Sequence, residues 1–423
     1  MTTTLATAEG WFKEVYGEAV NTVPAFALMR ERIKFRDAER IGDSYHFPVR
    51  LTRSHGWTLA SGATAGTAFT LNAVRTGTMK DASLSGSSFV MRESFAYKAV
   101  ASAVGAGKTA FGNLLDDAVE DMLETTNAIL EITMRYGGSS LGVNETTGAA
   151  SSPQDFVLTA ASSAMGMWSM LENAELDCYD TTLVTQRNSN AAIVLTKAAY
   201  DATTGKVTLS VTGNTTDLDA IVSTDVFVLR GMVGGAMDGL DKIATNSGSL
   251  FGISASTYST WAANSYSASS AALTMGKLTQ AAGLVAMRVG EMPLVAAVSI
   301  PTWSNLNNDT AALRRLTKNE GRVELGAQSI VYHGPTGPLE IIPDAMVKGG
   351  EAFIMDFSEF RRVGASDVTF NLPGVDGKIQ NDRFFRELAD SAGFEIRSFW
   401  DQGLINRKPR TICKVTSIVN SNA

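Results

Sequence analysis

One stretch of this sequence carries a long helical pattern: Thr109–Tyr136, which reads TAFGNLLDDAVEDMLETTNAILEITMRY. Its apolar residues recur three or four positions apart, so they share one face of a helix. They are Phe111, Leu114, Leu115, Ala118, Met122, Ile129, Ile132 and Tyr136. The opposite face comprises Asp116, Asp117, Glu120, Glu124, Asn127 and Glu131. The pattern predicts one amphipathic helix over the whole stretch.

Both ends of this predicted helix have residues that favour a helix boundary. Thr109 is suited to cap the first turn, and Gly137 and Gly138 favour the left-handed conformation that ends a helix. At the usual rise per residue the helix is about 40 Å long, about the width of a small domain. We therefore expect a rod that spans the molecule. An ordinary surface helix on a globular core would give the same pattern.

Upstream of the helix, two strand patterns flank a segment of small residues. The first, Ser44–Thr58, alternates in its first half between apolar and polar side chains. The second, Phe89–Val104, reads as a returning strand, and Ser61–Ser88 between them is rich in Gly, Ala, Ser and Thr. This order predicts a protruding β-hairpin with a flexible tip. Because a two-stranded ribbon is marginal in water, the hairpin must lie on its own body or on a neighbouring subunit.

Downstream of the helix, Asp177–Arg230 is strongly β-like, with turn residues between four short strand patterns. They are Thr182–Thr185, Ala192–Thr196, Lys206–Val211 and Val226–Leu229. This composition predicts a small antiparallel sandwich or barrel inserted in the chain. Met165–Leu176, just before it, favours a helix.

The remainder of the chain alternates helix and strand patterns. Helices are predicted at Thr274–Val289, from Pro301 onward and at Phe384–Ala389. The continuous apolar run Pro293–Ile300 predicts a buried strand. Further strand patterns are Ser329–Tyr332, Leu339–Ile342, Ala352–Phe357, Phe394–Trp400 and Thr411–Val419. The order predicts helices packed against a mixed sheet, and therefore an α+β fold.

The composition fits a folded protein without an excess of positive charge. The 423 residues allow two or three packed domains, and 44% of them are hydrophobic. The net charge of −7 argues against a general nucleic-acid-binding surface. Met1–Gly10 has neither basic residues nor an apolar run, and no stretch has the length and apolarity of a membrane span. We therefore expect a protein that is made and kept in the cytoplasm.

The segment Gly105–Thr109 has part of the pattern of a phosphate-binding loop. It offers a glycine turn, Lys108 and Thr109 at a helix N-terminus. The full pattern needs a further glycine where this chain has Ser102, and the strand ending in an acid, Phe353–Asp356, is a common arrangement. A flexible joint between hairpin and helix explains the glycines better. A nucleotide-hydrolysing enzyme using Lys108 and Thr109 is the alternative from a different functional class.

A second enzyme-like pattern is Gly138–Gly142, which has the Gly-x-Ser-x-Gly spacing of a nucleophile elbow around Ser140. That elbow requires a strand before the serine and a helix after it. Here a helix precedes the serine and a polar loop follows. His333 lies downstream, but sequence order alone is no evidence of a catalytic triad.

The histidines, cysteines and basic doublets do not predict a site. The histidines are His46, His55 and His333, and no pair has metal-ligand spacing. Cys178 and Cys413 exclude a disulfide framework; one bridge is possible, but two free thiols are expected. The doublets Arg314–Arg315 and Arg361–Arg362 favour salt bridges. We therefore predict no catalytic, cofactor-binding or metal-binding residue.

The order of these parts resembles the tailed-phage major capsid protein with the Hong Kong 97-like capsid fold. The resemblance covers most of the chain and is carried by several short stretches. They are Tyr45–Arg50, Ala110–Gly138, Gly239–Ile243, Ser249–Ile253 with Tyr258 and Trp261, Pro301–Ser304, Gly364–Asp367 and Pro409–Val419. The β-rich segment 177–230 departs from the minimal family plan. The charged, helical scaffolding extension found at the N-terminus of part of the family is missing, which implies either a separate scaffold protein or a processed chain.

The resemblance implies a phage major capsid fold with an N-terminal arm, an extended β-hairpin loop, a long spine helix, peripheral and axial domains and a β-rich insertion domain. The implied ranges are 1–42 for the N-terminal arm, 43–104 for the extended hairpin loop, 105–176 for the spine helix and first part of the peripheral domain, 177–230 for the β-rich insertion domain, 231–383 for the axial α/β domain with returning peripheral strands, and 384–423 for the C-terminal peripheral and axial strands.

The resemblance also implies a function, that of a structural protein and not an enzyme. Copies of the chain would assemble into hexamers and pentamers of an icosahedral shell around packaged double-stranded DNA. Assembly would occur in the host cytoplasm, and the product would be the virion. The implied partners are a separate scaffold protein, a portal and loosely contacted DNA, with decoration proteins left open and no membrane. An encapsulin-like compartment is the close alternative, and Lys80 on the hairpin is assigned no crosslinking role.

Overall fold

The computed structural model shows a mixed helix-and-strand protein and describes most of the chain. The described residues are 28–37, 44–59, 68–98, 108–188, 191–245, 248–290, 293–308, 330–334, 337–370, 384, 386–388 and 392–420. The mixture of helices and strands expected of the predicted α+β fold is confirmed. Most of residues 1–42, the glycines of Gly105–Gly107 and the doublet Arg314–Arg315 lie outside the described residues.

The helices differ greatly in length, and one of them dominates. In the described part of the chain they are α1 Leu28–Arg32, α2 Lys108–Tyr136, α3 Met165–Ser169, α4 Thr215–Asp219, α5 Met232–Gly235, α6 Leu240–Ala244, α7 Met275–Val289 and α8 Ile300–Asn307. Single 3-10 turns lie at Ser259–Trp261, Phe357–Glu359 and Pro409–Thr411.

The long helix α2 is confirmed as the main helical element. It has 29 residues, so it is about 43 Å long. Gly137 at its end has a φ of +55°, the left-handed conformation expected of a helix stop. One part of the prediction is wrong: Glu131, assigned to the polar face, is fully buried. All residues from Leu130 to Tyr136 are buried, because other segments surround this end of the helix.

The predicted hairpin is present, but its second strand is not the predicted one. Strand β2, Tyr45–Arg50, pairs antiparallel with β3, Met79–Leu84. The predicted return strand, Phe89–Val104, overlaps instead with β4, Ser87–Ala96, which belongs to another sheet. In β3 the buried apolar side chains are few, so its pattern was weaker than that of β4.

The first sheet contains five described strands and packs against α2. Its order is β1-β18-β20-β19, with β4 also paired to β20. The strands are β1 Phe35–Asp37, β4 Ser87–Ala96, β18 Phe360–Thr369, β19 Arg386–Glu387 and β20 Gly393–Asn406. The helix predicted at Phe384–Ala389 is wrong, since β19 occupies part of that range. Ile396 of the sheet packs against Ala118 and Met122 of α2.

The second sheet contains six described strands in the order β5-β10-β7-β8-β9-β6. They are β5 Gly142–Val143, β6 Gln154–Leu158, β7 Glu175–Tyr179, β8 Ile193–Asp201, β9 Lys206–Thr212 and β10 Val226–Leu229. Three of the four predicted strands are confirmed, but Thr182–Thr185 lies in a turn region. The helix predicted at Met165–Leu176 is shorter than expected, because only α3 is helical there. Because the sheet begins at Gly142, this β-rich unit is larger than the range 177–230.

The third sheet contains six described strands in the order β13-β21-β17-β14-β16-β15. They are β13 Asn264–Ala271, β14 Leu294–Val298, β15 Ile330–Gly334, β16 Gly337–Pro343, β17 Ala352–Met355 and β21 Cys413–Ile418. All five residues of β14 are buried, as the apolar run predicted. Thr274 and Ser299 cap α7 and α8 by accepting hydrogen bonds from backbone N–H groups. A two-stranded ladder, β11 Ser249–Leu250 with β12 Ile253–Ser254, lies beside the hairpin.

Both cysteines are free, as expected from the sequence, and both are fully buried. Burial raises the pKa of the Cys413 thiol to about 12 and raises that of the Cys178 thiol further. Among the residues with a described placement, no helix combines the length and apolarity that a membrane crossing requires.

Candidate assembly surfaces

The hairpin formed by β2 and β3 is anchored to the body at its base. Ser83 N–H donates to the carbonyl of Phe251 over 3.0 Å, and the Thr260 hydroxyl donates to the carbonyl of Leu51 over 3.0 Å. The rings of Phe47 and Phe251 meet edge to face, with centroids 6.0 Å apart. The base of the hairpin is therefore part of the main hydrophobic core.

Beyond that base the chain continues as what we call the ribbon, residues 51–59 and 68–78. Its two branches run antiparallel without a regular strand ladder. Leu51 N–H donates to the Thr78 carbonyl over 2.9 Å, and His55 N–H donates to the Arg75 carbonyl over 2.8 Å. Further out, Asn72 N–H donates to the Thr58 hydroxyl oxygen over 2.8 Å. Hydrogen bonds between its branches hold the ribbon together, and Leu51 is its only described residue that is buried.

The ribbon and the adjoining start of β3 expose large apolar side chains. They are Trp57, Leu59, Phe69, Leu71, Val74 and Met79. Leu59 and Val74 are each 80% exposed, which is far above what a packed side chain shows. Concentrated exposed apolar side chains mark a surface that another molecule covers. The charge of the hairpin is mainly positive, with Arg50, Arg53, Arg75 and Lys80 against Asp81 among its described residues.

A buried ionic cluster joins the N-terminal segment to the end of α2. The Glu131 carboxylate accepts from the backbone N–H groups of Met29 and Arg30 over 2.8 and 3.0 Å. It also accepts from the Arg135 guanidinium over 2.9 Å, and that guanidinium pairs with Asp344 as well. Burial raises the pKa of Glu131, and the adjacent Arg135 charge opposes that rise. The cluster fixes α1 on α2.

A second buried cation lies one turn further along. Lys348 Nζ donates to the Ser140 carbonyl over 2.6 Å and lies 4.2 Å from the centroid of the Tyr136 ring. The Tyr136 hydroxyl donates to the Met346 carbonyl over 2.9 Å. Burial lowers the pKa of the Lys348 ammonium. These contacts connect the helix end to the turn after β16.

The enzyme-like patterns gain no support from the described residues. The helix begins at Lys108, so Thr109 lies inside the first turn instead of capping it, and the glycines before it are not described. Asp356 caps a 3-10 turn by accepting from Ser358 N–H over 2.9 Å. Ser140 donates to the Gly142 carbonyl over 3.3 Å, and β5 follows it where an elbow would have a helix.

The remaining candidate residues either contact other side chains of the chain or have side chains that lie outside the described part of the structure. His46 Nδ1 is 2.5 Å from an Asp81 oxygen, and the side chain of His333 is not described. Arg362 is buried and pairs with Asp367 over 2.8 Å, as the salt-bridge interpretation predicted. In the described part of the chain no three or more His, Cys, Asp or Glu side chains are grouped as a metal site would require.

Sequence reasoning missed the buried ionic cluster. The available signal was the spacing of Glu131 and Arg135, which are four residues apart at the end of the helix and so share a face. The third member, Asp344, is 209 positions from Arg135. No local pattern predicts that contact.

Proteins of known structure include chains similar to this one. No family model and no curated protein matches the sequence. Among solved structures, the cyanophage A-1(L) capsid asymmetric unit is similar over 98% of both chains, with 13% identity and a TM-score of 0.50. The capsid of a native GTA particle covers 98% of both chains at 9% identity with a TM-score of 0.46. The Mycobacterium phage Adephagia structure covers 99% of both at 11% identity with a TM-score of 0.44.

The first of these likenesses extends over nearly the whole length of both chains, and at 13% identity it concerns the fold. The chain therefore has the tailed-phage major capsid fold.

Proposed function

We propose that this chain is the major capsid protein of a tailed phage, whose copies form hexamers and pentamers of an icosahedral shell around packaged double-stranded DNA. The observation that carries the proposal is the ribbon. It exposes Trp57, Leu71 and Val74 on a segment without a core of its own. In a chain with a capsid fold, another copy is the partner that would cover these side chains.

We also propose roles for the parts of the chain. Residues 1–42 form an N-terminal arm, 43–104 an extended loop, and 105–176 a spine helix with the first part of a peripheral domain. Residues 177–230 belong to an insertion domain, 231–383 to an axial domain with returning peripheral strands, and 384–423 to the closing strands. The β2–β3 pairing supports the loop assignment, and the length of α2 supports the spine assignment.

The proposed partners follow from the same assignment. Other copies of the chain are the main partner, and a separate scaffold protein and a portal are further partners. The net charge of −7 suits a loose contact with packaged DNA. The protein then has a structural and not a catalytic role, as part of a virion assembled in the host cytoplasm.

Electron microscopy of the purified full-length chain tests the proposal. We expect closed shells or capsomer rings. A ribbon variant, Leu71→Asp with Val74→Asp, should fold but form none, because charges at a buried contact oppose association. The matched control is Val184→Asp, at a position 79% exposed in the turn region between β7 and β8. A protein that stays monomeric at high concentration, or a ribbon variant that assembles like the control, would contradict the proposal.

A further inference from the structure

Strand β4 carries opposite charges on its two faces. Successive side chains of a strand point to opposite faces, so Arg92 and Glu93 lie on opposite sides of the first sheet. Glu93 is on the side of α2, because Phe95, two positions on, packs against Ala118 and Met122 of that helix. Arg92 is on the side away from the helix. The first sheet therefore has an acidic side and a basic side at this strand.

On the acidic side, the carboxylates of Glu93 and Asp121 lie close enough to repel each other. Burial, and then the nearby charge of Asp121, raise the pKa of Glu93 to about 7. Burial and the charge of Glu124 raise the pKa of Asp121. Neither Glu93 nor Asp121 forms an ion pair within the described part of the chain. Glu120 beside them is exposed. A cation would stabilise these carboxylates, and no described residue forms an ion pair with them.

The basic side has an excess of guanidinium groups. Arg92 lies directly opposite Arg397 on β20, and like charges in that position repel each other. Arg397 pairs with one oxygen of Glu395, whose other oxygen is buried without a hydrogen-bond partner. Arg92 is exposed and has no ion pair among the described residues. Val90, on the same face, is 56% exposed. This face combines positive charge with an uncovered apolar side chain.

We propose that the sheet face carrying Arg92 and Arg397 in one copy docks on the carboxylates of Glu93, Glu120 and Asp121 in the next copy. The occupant is a second copy because the complementary surface is part of the same chain. The contact is head to tail, and such contacts close into rings when the rotation between copies allows it. The inference rests on the proposed function, since it names a contact within the capsomer.

The physical chemistry of the two surfaces favours this pairing. Arginine binds carboxylates through two parallel hydrogen bonds and is enriched at protein interfaces. Docking would place a guanidinium beside Glu93 and Asp121, which removes the mutual repulsion of the two carboxylates. On the other surface it would relieve the repulsion between Arg92 and Arg397 and cover Val90. Each surface thus supplies what the other lacks.

Charge reversal in the full-length chain tests the contact. Arg92→Asp and Asp121→Arg are each expected to lower the fraction of chain in shells or capsomer rings at least about tenfold, because each places like charges face to face. The double variant restores the opposite pairing and should assemble within about threefold of the wild type. Lys197→Asp, at an exposed position of the second sheet, is the matched control and should assemble normally.

Several outcomes would overturn the contact. Single variants that assemble like the control would do so, as would a double variant no better than the weaker single one. Thermal melting of each unassembled variant separates lost docking from lost folding, and single variants that fail to assemble only because they melt earlier also count against it. A wild-type chain that forms no shells would overturn the proposed function together with this contact. Wild-type shells with unaffected variants overturn the contact alone.

Discussion

Charged residues near the two ends of α2 differ in whether the chain supplies a partner of opposite charge. At the C-terminal end, Glu131 and Arg135 are buried, yet each has partners within the chain. In the first half, Asp121 is exposed, and it and Glu93 on the adjacent strand have no cation in the described structure. Buried charges are tolerated where the same chain neutralises them. The comparison separates charges that hold the fold together from charges that a single copy leaves uncompensated.

The largest effect on stability is expected from removing the cation of the buried ionic cluster at the C-terminal end of α2. Replacing Arg135 by Leu leaves the carboxylates of Glu131 and Asp344 buried without their cation, which should cost about 3–5 kcal/mol of unfolding free energy. Urea denaturation of the unassembled subunit measures this cost. Arg92→Leu is the control, because it removes a guanidinium from an exposed position and should change stability by about 0.5 kcal/mol or less. Similar costs for the two variants would refute the distinction.

An intermediate effect is expected from two methionines that are both fully buried on α2. Met134 lies in the largest hydrophobic cluster, whereas Met122 lies in a small cluster with three other buried residues. Truncation to alanine should cost about 3–5 kcal/mol at Met134 and about 2–3 kcal/mol at Met122, because a small cluster collapses more easily around a cavity. The same denaturation experiment compares them. A larger cost at Met122 would show that the first half of the helix is the better packed one.

The smallest expected effect is a pH dependence of the unfolding free energy that arises from Glu93, beside the first half of α2. The pKa of Glu93 is raised from its ordinary value of 4.5 to about 7, first by burial and then by the Asp121 charge. A raised pKa means that the protonated form is favoured in the folded state. Its stabilisation is therefore fully present below about pH 4.5 and is lost as the pH rises through about 7. Since the carboxyl is partly exposed and solvent screens it, we expect about 1 kcal/mol.

The matched variant for this measurement is Glu93→Gln. Its unfolding free energy, relative to that of the wild type, should increase by about 1 kcal/mol between about pH 4.5 and about pH 8, since the wild type alone loses the protonated state. A difference between the two proteins that is independent of pH would show that Glu93 titrates normally in the fold.

The elements predicted from the sequence are those whose pattern is local. The helical periodicity of apolar residues over the 28 residues Thr109–Tyr136 predicted α2, and the apolar run around Leu294–Val298 predicted a buried strand. In each case neighbouring residues contain the whole signal, so no knowledge of distant segments was needed.

The features that escaped prediction depend on distant partners. Strand β4 alternates like a hairpin strand, but its partner is β20, about three hundred positions away. Glu131 reads as a solvated helix residue, and it is buried because Met29, Arg30 and Arg135 satisfy its carboxylate. The candidate assembly surfaces were predicted only in outline: the hairpin was expected, whereas the apolar side chains on its ribbon were not.

The placement of the two cysteines has a practical consequence for labelling the protein. Cys178 and Cys413 are the only thiols in the sequence, and both are shielded from solvent in the interior of their sheets. Reagents that attack thiolates need an accessible, ionised sulfur. A cysteine introduced at any exposed position would therefore be the site that a maleimide modifies. Dyes or cargo could be attached at a chosen residue without first replacing the two native cysteines.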